Sequence, residues 1–427
     1  MTDEVTVALL GGGTVGSQVA RLLTEGAQDL AARVGRPLRL VGVAVRDTSR
    51  QRPGVPAELL TADAAALAGS GADVVVEVIG GISPADEYIR SAIEAGSSVV
   101  SANKALMAEQ GGDLHAAAEA AGVDLFYEAA VAGAIPLLRP LGDSLAGDRI
   151  SRVMGIVNGT TNYILTRMDE EGADYSEVLA DAQRLGYAEA DPTADVAGHD
   201  AAAKAAILAS LAFHTRVTLS DVHCEGIESV TADDVEAARD MGYVIKLLAI
   251  ADMTSDGSGI CVRVHPTMVP RTHPLASVRG AYNAVFVEAD AAGQVMFYGQ
   301  GAGGEPTASA VLGDLVTAAR HRVSGSLGAA ASTYNDVAIL PIGDASTSYY
   351  VDFHVVDKSG VLAEIAQVFA DHGVSISGVR QDGRGDEARL IIRTHAATDE
   401  SLSRTVAAVS ELESVREVAG MMRVVSD

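Results

Sequence analysis

Asp200 and Lys204 stand four residues apart in Gly198-His199-Asp200-Ala201-Ala202-Ala203-Lys204, a spacing that puts both side chains on one face of a helix. An ordinary surface pair at this spacing is common and contributes only roughly 0.2–0.5 kcal/mol. Here the flanks are Ala201 to Ala203 and Ala205 to Leu208, so the pair sits in an apolar helix. A charge pair facing inward is costly unless something uses it, which makes both residues candidates for proton transfer. Lysine is also scarce. The four lysines are Lys104, Lys204, Lys246 and Lys358, so 31 basic residues less 4 leaves 27 arginines. Arginine keeps its proton and lysine can release it, so a surviving lysine points to chemistry. Compositional drift is the reading for Lys246 and Lys358.

Gly11-x-Gly13-x-x-Gly16, with Thr14 and Val15 inside it, follows the apolar run Val5 to Leu10 and precedes Val19, Leu22 and Leu23 at helical spacing. A tight glycine turn between strand and helix lets a dinucleotide pyrophosphate approach the backbone at the helix N-terminus. The next strand ends at Val43-Ala44-Val45-Arg46-Asp47. Arg46 suits a ribose 2′-phosphate, which favours NADP over NAD, while Asp47 beside it leaves NAD open. The spacing is lengthened by an insertion around Gly26 to Arg36. Ser101-Ala102-Asn103-Lys104 closes another strand at the carboxyl edge, where Lys104 could hold a phosphate or a substrate carboxylate. Glu128 to Pro136 offers one carboxylate followed by backbone carbonyls that could meet a hard cation, or a plain strand end. His199, His214, His223, His265 and His273 lack ligand spacing, so no zinc site is expected.

These residues need elements to hold them. Runs Val5 to Leu10, Leu38 to Val45, Val74 to Ile79 and Ser98 to Ser101 alternate with helical segments, which predicts an α/β, doubly wound parallel sheet of Rossmann-like type over residues 1–145, completed by a helix at 305–335. Residues 146–304 read as a second, α+β domain. Pro341 to Ser348 is the linker candidate, and 349–427 reads β, α, β, β, α, β, a ferredoxin-like order. The 427 residues carry 57 acidic side chains and a net charge of −26, which argues against nucleic-acid and anionic-membrane partners. Two cysteines, Cys224 and Cys261, and no basic-then-apolar leader predict a soluble cytoplasmic protein.

In order along the chain, Gly11 to Gly16, Ser101 to Lys104, Glu128 to Pro136, Asn158-Gly159-Thr160-Thr161-Asn162-Tyr163-Ile164-Leu165, Gly186-Tyr187-Ala188-Glu189-x-Asp191-Pro192, Asp200-x-x-x-Lys204 and Gly301-x-Gly303 to Ala308 resemble homoserine dehydrogenase. The tail, with Asp357-Lys358-Ser359-Gly360, resembles an ACT domain. The resemblance implies NAD(P)H-dependent reduction of L-aspartate 4-semialdehyde to L-homoserine, on the route to threonine, methionine and isoleucine. It implies Lys204 as acid/base with Asp200 beside it, and Glu189, Asp200, Gly159 and Thr160 around substrate. Gly11, Gly13, Thr14, Val15, Gly16, Arg46, Lys104, Gly186 and Gly303 would line the cofactor or its cleft. Glu128, with Val131, Gly133 and Ile135, would hold a structural sodium ion. Threonine would be the effector of the tail, and the chain would form a dimer or tetramer. The alternatives are a non-catalytic protein that reports dinucleotide levels, and an ACT-bearing hydroxyacid dehydrogenase, which would carry its glycine fingerprint in mid-chain.

Overall fold

The computed structural model describes residues 4–52, 54–254, 256–329, 335–383 and 387–425. In chain order the first elements are β1 (Val5–Leu10), α1 (Thr14–Glu25), α2 (Ala27–Val34), β2 (Leu38–Ala44), β3 (Leu60–Thr61), α3 (Ala64–Ala68), β4 (Val74–Glu77), α4 (Ala85–Glu94), β5 (Ser98–Ser101), α5 (Lys104–Ala121) and β6 (Leu125–Phe126). There follow β7 (Ile150–Ile156), α6 (Gly159–Glu171), α7 (Tyr175–Leu185), α8 (Thr193–Val196), α9 (His199–Phe213), β8 (His223–Cys224), α10 (Ala232–Asp240), β9 (Tyr243–Met253) and β10 (Gly259–Pro270). Then come β11 (Tyr282–Ala289), β12 (Gly293–Gln300), α11 (Gly304–Ser324), β13 (Ala338–Leu340), β14 (Ser346–Val356), α12 (Val361–Asp371), β15 (Ile376–Gly383), β16 (Glu387–Thr394), β17 (Ala397–Thr398), α13 (Asp399–Ser410) and β18 (Val415–Val424).

The chain divides into two compact units. The first comprises Met1–Val153, Ala206–Leu219 and Tyr282–Asp336. Its parallel sheet has the strand order β3-β2-β1-β4-β5-β6, in which direction of travel reverses between β1 and β4. That reversal opens a crevice at the carboxyl ends of the strands, the usual ligand position in such sheets. β1, β4 and β5 are almost wholly buried, because helices cover both faces of a parallel sheet. α11 supplies part of that cover: Ala308, Val311, Leu315, Ala318 and Ala319 join Val5, Val7, Leu9 and Val74 in one core. The insertion before Arg46 folds as α2. The helix expected to run to 335 ends at Ser324, where Gly325 turns left-handed at φ +70° and closes it.

The second unit comprises Met154–Ala205, Ser220–Ala281 and Val337–Asp427. Within it β9 and β10 form a long antiparallel pair, and the strands continue in the order β10-β18-β14-β16-β15. β14, β15, β16 and β18 with α12 and α13 make the ferredoxin-like module, around a core that includes Tyr349, Phe353, Ile365, Phe369, Leu390 and Val409. The expected linker is only partly irregular, since β14 already begins at Ser346. β18 pairs with β10 as well as with β14, so the module's last strand is stitched into the sheet of this unit.

Candidate active site

At the glycine turn of the first unit, side chains are absent because backbone occupies their place. A Cβ on Gly16 would fall 1.9 Å from the Gly11 carbonyl oxygen, and one on Gly11, at φ +111°, would fall 2.8 Å from that of Val78. Gly13 caps α1 without a side-chain bond, so the first amides of that helix face outward and can take a phosphate. Gly303, at φ +116°, caps α11 in the same bare way, and Gly304 packs against Thr14. Two uncapped helix N-termini thus meet at one turn, a geometry that fits a dinucleotide pyrophosphate. Val15 lies one residue into α1.

Arg46 is exposed just beyond β2, and Asp47 spends its carboxylate on Ser49. Arg52, which carries no motif, folds back on the turn: Nε donates to the Gly12 carbonyl at 3.0 Å and Nη1 to the carbonyls of Asp47 and Arg50. Lys104 is the exposed first residue of α5, whose N-cap Asn103 accepts from the Leu106 amide and donates to the Gly81 carbonyl. The organiser of this edge is Glu77, fully buried at the end of β4. It accepts the amides of Ile79 and Gly80 and the Ser101 hydroxyl, whose oxygen in turn accepts the Asn103 amide. A lone Glu ending an apolar run carries no signal that sequence reading could have used.

The buried Glu128 carboxylate accepts the backbone amides of Leu137, Leu138 and Arg139. The backbone that follows offers carbonyl oxygen. Ala132 and Gly133 take consecutive positive φ values of 55° and 51°, and Gly133 abuts the Gly301 carbonyl. The carbonyls of Glu128, Val131, Gly133 and Ile135 fit a monovalent hard cation by their chemistry, since they bring no net charge.

In the second unit, Asp200 and Lys204 lie on one face of α9, both nine-tenths buried. Lys204 Nζ donates to Asp200 Oδ2 at 2.7 Å and to the Val157 carbonyl at 2.6 Å. An ammonium has three protons, and the third has no partner among the described residues. Asn158, the N-cap of α6, accepts the Thr161 amide and extends its own amide to both Asp195 and Asp200. The Asp200 carboxylate is therefore fixed from two sides, which aims the buried lysine.

Gly159 opens α6 hard against the Ala281 carbonyl, where a Cβ would fall at 2.8 Å. Thr160 spends its hydroxyl on the Tyr187 carbonyl at 2.6 Å, and Tyr187 stacks on Tyr163 with centroids 4.6 Å apart. Gly186, at φ +80°, ends α7 and turns the chain into this loop, leaving the Glu189 carboxylate exposed at its tip.

Lys246 overturns its reading as a leftover. It is 2% exposed in the middle of β9 and donates to Asn162 Oδ1 at 2.8 Å and to the Val278 carbonyl at 2.6 Å. Asn162 in turn donates to the carbonyls of Gly280 and Val278, so the lysine ties the 278–281 turn to α6. Burial pushes its pKa down from 10.5 to about 8. Lysine scarcity therefore carries information at Lys246 as well. Lys358 is exposed, as drift would leave it.

A family model described as homoserine dehydrogenase matches residues 136–316, one described as the homoserine dehydrogenase NAD binding domain matches 11–128, and an ACT domain model matches 349–414. The homoserine dehydrogenase of Corynebacterium glutamicum is 56% identical over 429 residues, spanning 100% of this chain and 96% of the relative. The chain belongs to the homoserine dehydrogenase family. Among solved structures, the homoserine dehydrogenase of Thiobacillus denitrificans superposes with a TM-score of 0.91 at 39% identity, covering 99% of this chain and 98% of that one. A hyperthermophilic archaeal homoserine dehydrogenase in complex with NADPH superposes with a TM-score of 0.62 at 25% identity, covering 74% and 97%. The chain is an NAD(P)-dependent oxidoreductase acting on a CH–OH group, and the reading as a non-catalytic dinucleotide sensor is not favoured. Among the described residues no helix is long and apolar enough to cross a membrane.

Proposed function

We propose that the chain reduces L-aspartate 4-semialdehyde to L-homoserine, on the route to threonine, methionine and isoleucine, with NADPH preferred and NADH tolerated. The observation that carries this is the buried Asp200–Lys204 pair, held by Asn158 and the Val157 carbonyl with one ammonium proton left to give. A bound nicotinamide would supply the hydride. As the aldehyde oxygen gains negative charge, Lys204 Nζ stabilises it and then protonates it, so the carbonyl becomes a hydroxyl. Asp200 keeps the lysine oriented between turnovers. Glu189, at the tip of its loop, receives the substrate ammonium, and Gly159 and Thr160 shape the adjoining backbone. The turn at Gly11, Gly13, Thr14, Val15 and Gly16 takes the pyrophosphate, with Gly186, Gly303 and Lys104 along the cofactor or its cleft. Arg46 reads the 2′-phosphate. The carbonyls of Glu128, Val131, Gly133 and Ile135 would hold a sodium ion with a structural role.

We read residues 1–145 with α11 as the dinucleotide-binding domain, 146–304 as the catalytic and dimerisation domain, and 349–427 as the regulatory domain. The regulatory domain binds threonine at the turn from Asp357 to Gly360, where Gly360 adopts φ +100°. β15, at the end of the strand order among the described residues, offers an edge through which two copies join into a dimer or tetramer. Purified protein assayed with homoserine and each nicotinamide cofactor tests the reaction, and absence of turnover with both refutes it. Coupling of about 1–3 kcal/mol, or roughly 5- to 150-fold in affinity, is expected between threonine and the active site. Deleting residues 346–427 should abolish threonine inhibition, and an intact enzyme indifferent to threonine would remove the sensing role.

A further inference from the structure

An ion pair links the C-terminal module to the segment that packs against the turn opening α9. Arg423, on β18, is 14% exposed at its side chain. Its Nη1 donates to both carboxylate oxygens of Glu225, at 3.0 and 2.9 Å, and its Nε to Asp399 Oδ1 at 2.7 Å. Asp399 is the first residue of α13 and also accepts the Tyr349 hydroxyl of β14. The backbone of Arg423 lies in register with Tyr349 of β14 and with Thr267 of β10. One guanidinium thus joins two elements of the module to a residue outside it.

Glu225 belongs to a segment with little slack against the turn that opens α9. Its own amide donates to the Val264 carbonyl of β10 at 2.8 Å. On either side, Cys224 Sγ donates to the Ala197 carbonyl and the Ile227 amide to the Val196 carbonyl. A Cβ on Gly198, at φ +84°, would be tight, 3.0 Å from Cys224 Sγ and 3.3 Å from the Glu225 carbonyl oxygen. A Cβ on Gly226 would fall 2.2 Å from the Val196 carbonyl oxygen. The Gly198 carbonyl accepts the Ala202 amide in the first turn of α9, and Asp200 lies within that same turn. A close-packed contact of this kind passes a shift on, because there is no void to absorb it.

We propose that Arg423 and Glu225 are positioning residues for the Asp200–Lys204 pair, the ion pair pressing segment 223–227 against the turn 196–198 so that the C-terminal module sets the pose of the reactive helix. The proposal rests on the assignment of Lys204 as proton donor, and failure of that assignment would show separately as turnover in Lys204→Ala. His223, whose Nε2 lies 2.7 Å from Glu225 Oε1, shares the carboxylate. Buried His265 is held neutral by its burial and by Arg423 and Arg263.

The test is a double-mutant cycle in the full-length enzyme with Glu225→Gln, Arg423→Gln and the double variant, alongside Arg423→Lys. Each single glutamine variant is expected to lower kcat roughly 2- to 30-fold, the range of 0.5–2 kcal/mol couplings carried through contact networks, with the cofactor KM unchanged. The double variant should be no slower than the worse single, since one interaction is lost once. Arg423→Lys, which keeps the charge, should recover part of the loss. Glu225→Gln preserves the Arg423–Asp399 bond and carries the test alone should Arg423→Gln fail to fold. Unchanged kcat, whatever happens to the melting temperature, or losses that multiply in the double variant, would overturn the proposal.

Discussion

At the amino end of α1 side chains withdraw and the backbone is offered; at the amino end of α9 the backbone is closed and side chains are offered. The first end is made by glycines that tolerate carbonyl oxygens where a Cβ would be, and by a cap with no side-chain bond. Its charged neighbours, Arg46 and Lys104, stay exposed. The second end buries its charges, and every polar group that fixes them is itself fixed, from Asn158 to Asp200 to Lys204. The difference follows from what each end handles. A pyrophosphate carries its own charge and needs only outward amides, whereas proton delivery to a neutral aldehyde needs a charge that the protein has desolvated in advance.

The largest expected effect breaks the second end. Lys204→Ala should lower kcat about 100- to 10,000-fold, the usual contribution of a positioned acid, while equilibrium binding of the nicotinamide cofactor stays near normal. Near wild-type turnover would remove Lys204 from the chemistry, and loss of cofactor binding would show that the two ends are not separable.

Lys246→Met asks how far the buried charges extend. The variant removes the lysine's hydrogen bonds to Asn162 Oδ1 and the Val278 carbonyl, a cost of about 1–3 kcal/mol measurable by denaturant unfolding at neutral pH. The sign of its pH dependence is fixed by the lowered pKa. Between about 8 and 10.5 the unfolded chain binds more protons at this site than the folded one, so wild-type stability rises through that window relative to the variant. A constant difference between the two proteins from pH 7 to 10.5 would contradict a lowered lysine.

The smallest effect sharpens the first end. Arg46→Ala should weaken NADP roughly tenfold, as the loss of one exposed charge-assisted bond of about 1.5 kcal/mol, and leave NAD nearly unchanged. Equal losses for both cofactors would show that Arg46 does not read the phosphate, and Arg52, already lying across the turn, would then be the residue to replace.

The same contrast decides what was legible beforehand. Gly11 to Gly16 was readable because glycine is the only residue that fits such a turn, so the requirement is written in residue type. Asp200 and Lys204 were readable because a helix fixes the i,i+4 relation without help from the rest of the fold. Glu77 and the Glu128 carboxylate were not, because their partners are backbone amides, and an amide looks the same at every position of a sequence.

What the amino-acid sequence determined by itself was therefore local and periodic: strand, glycine turn and helix, the charged pair on one helical face, and the β-α-β-β-α-β order of the tail. Tertiary structure alone decided which carbonyl accepts the Lys204 hydrogen bond, that Lys246 is a buried tie and that the Glu128 carboxylate meets three backbone amides. It alone decided that Arg423 meets Glu225 from 198 residues away. Local relations are set by backbone geometry over a few residues, while these pairings are set by how sheets and helices stack, a property of the whole chain that no short spacing encodes.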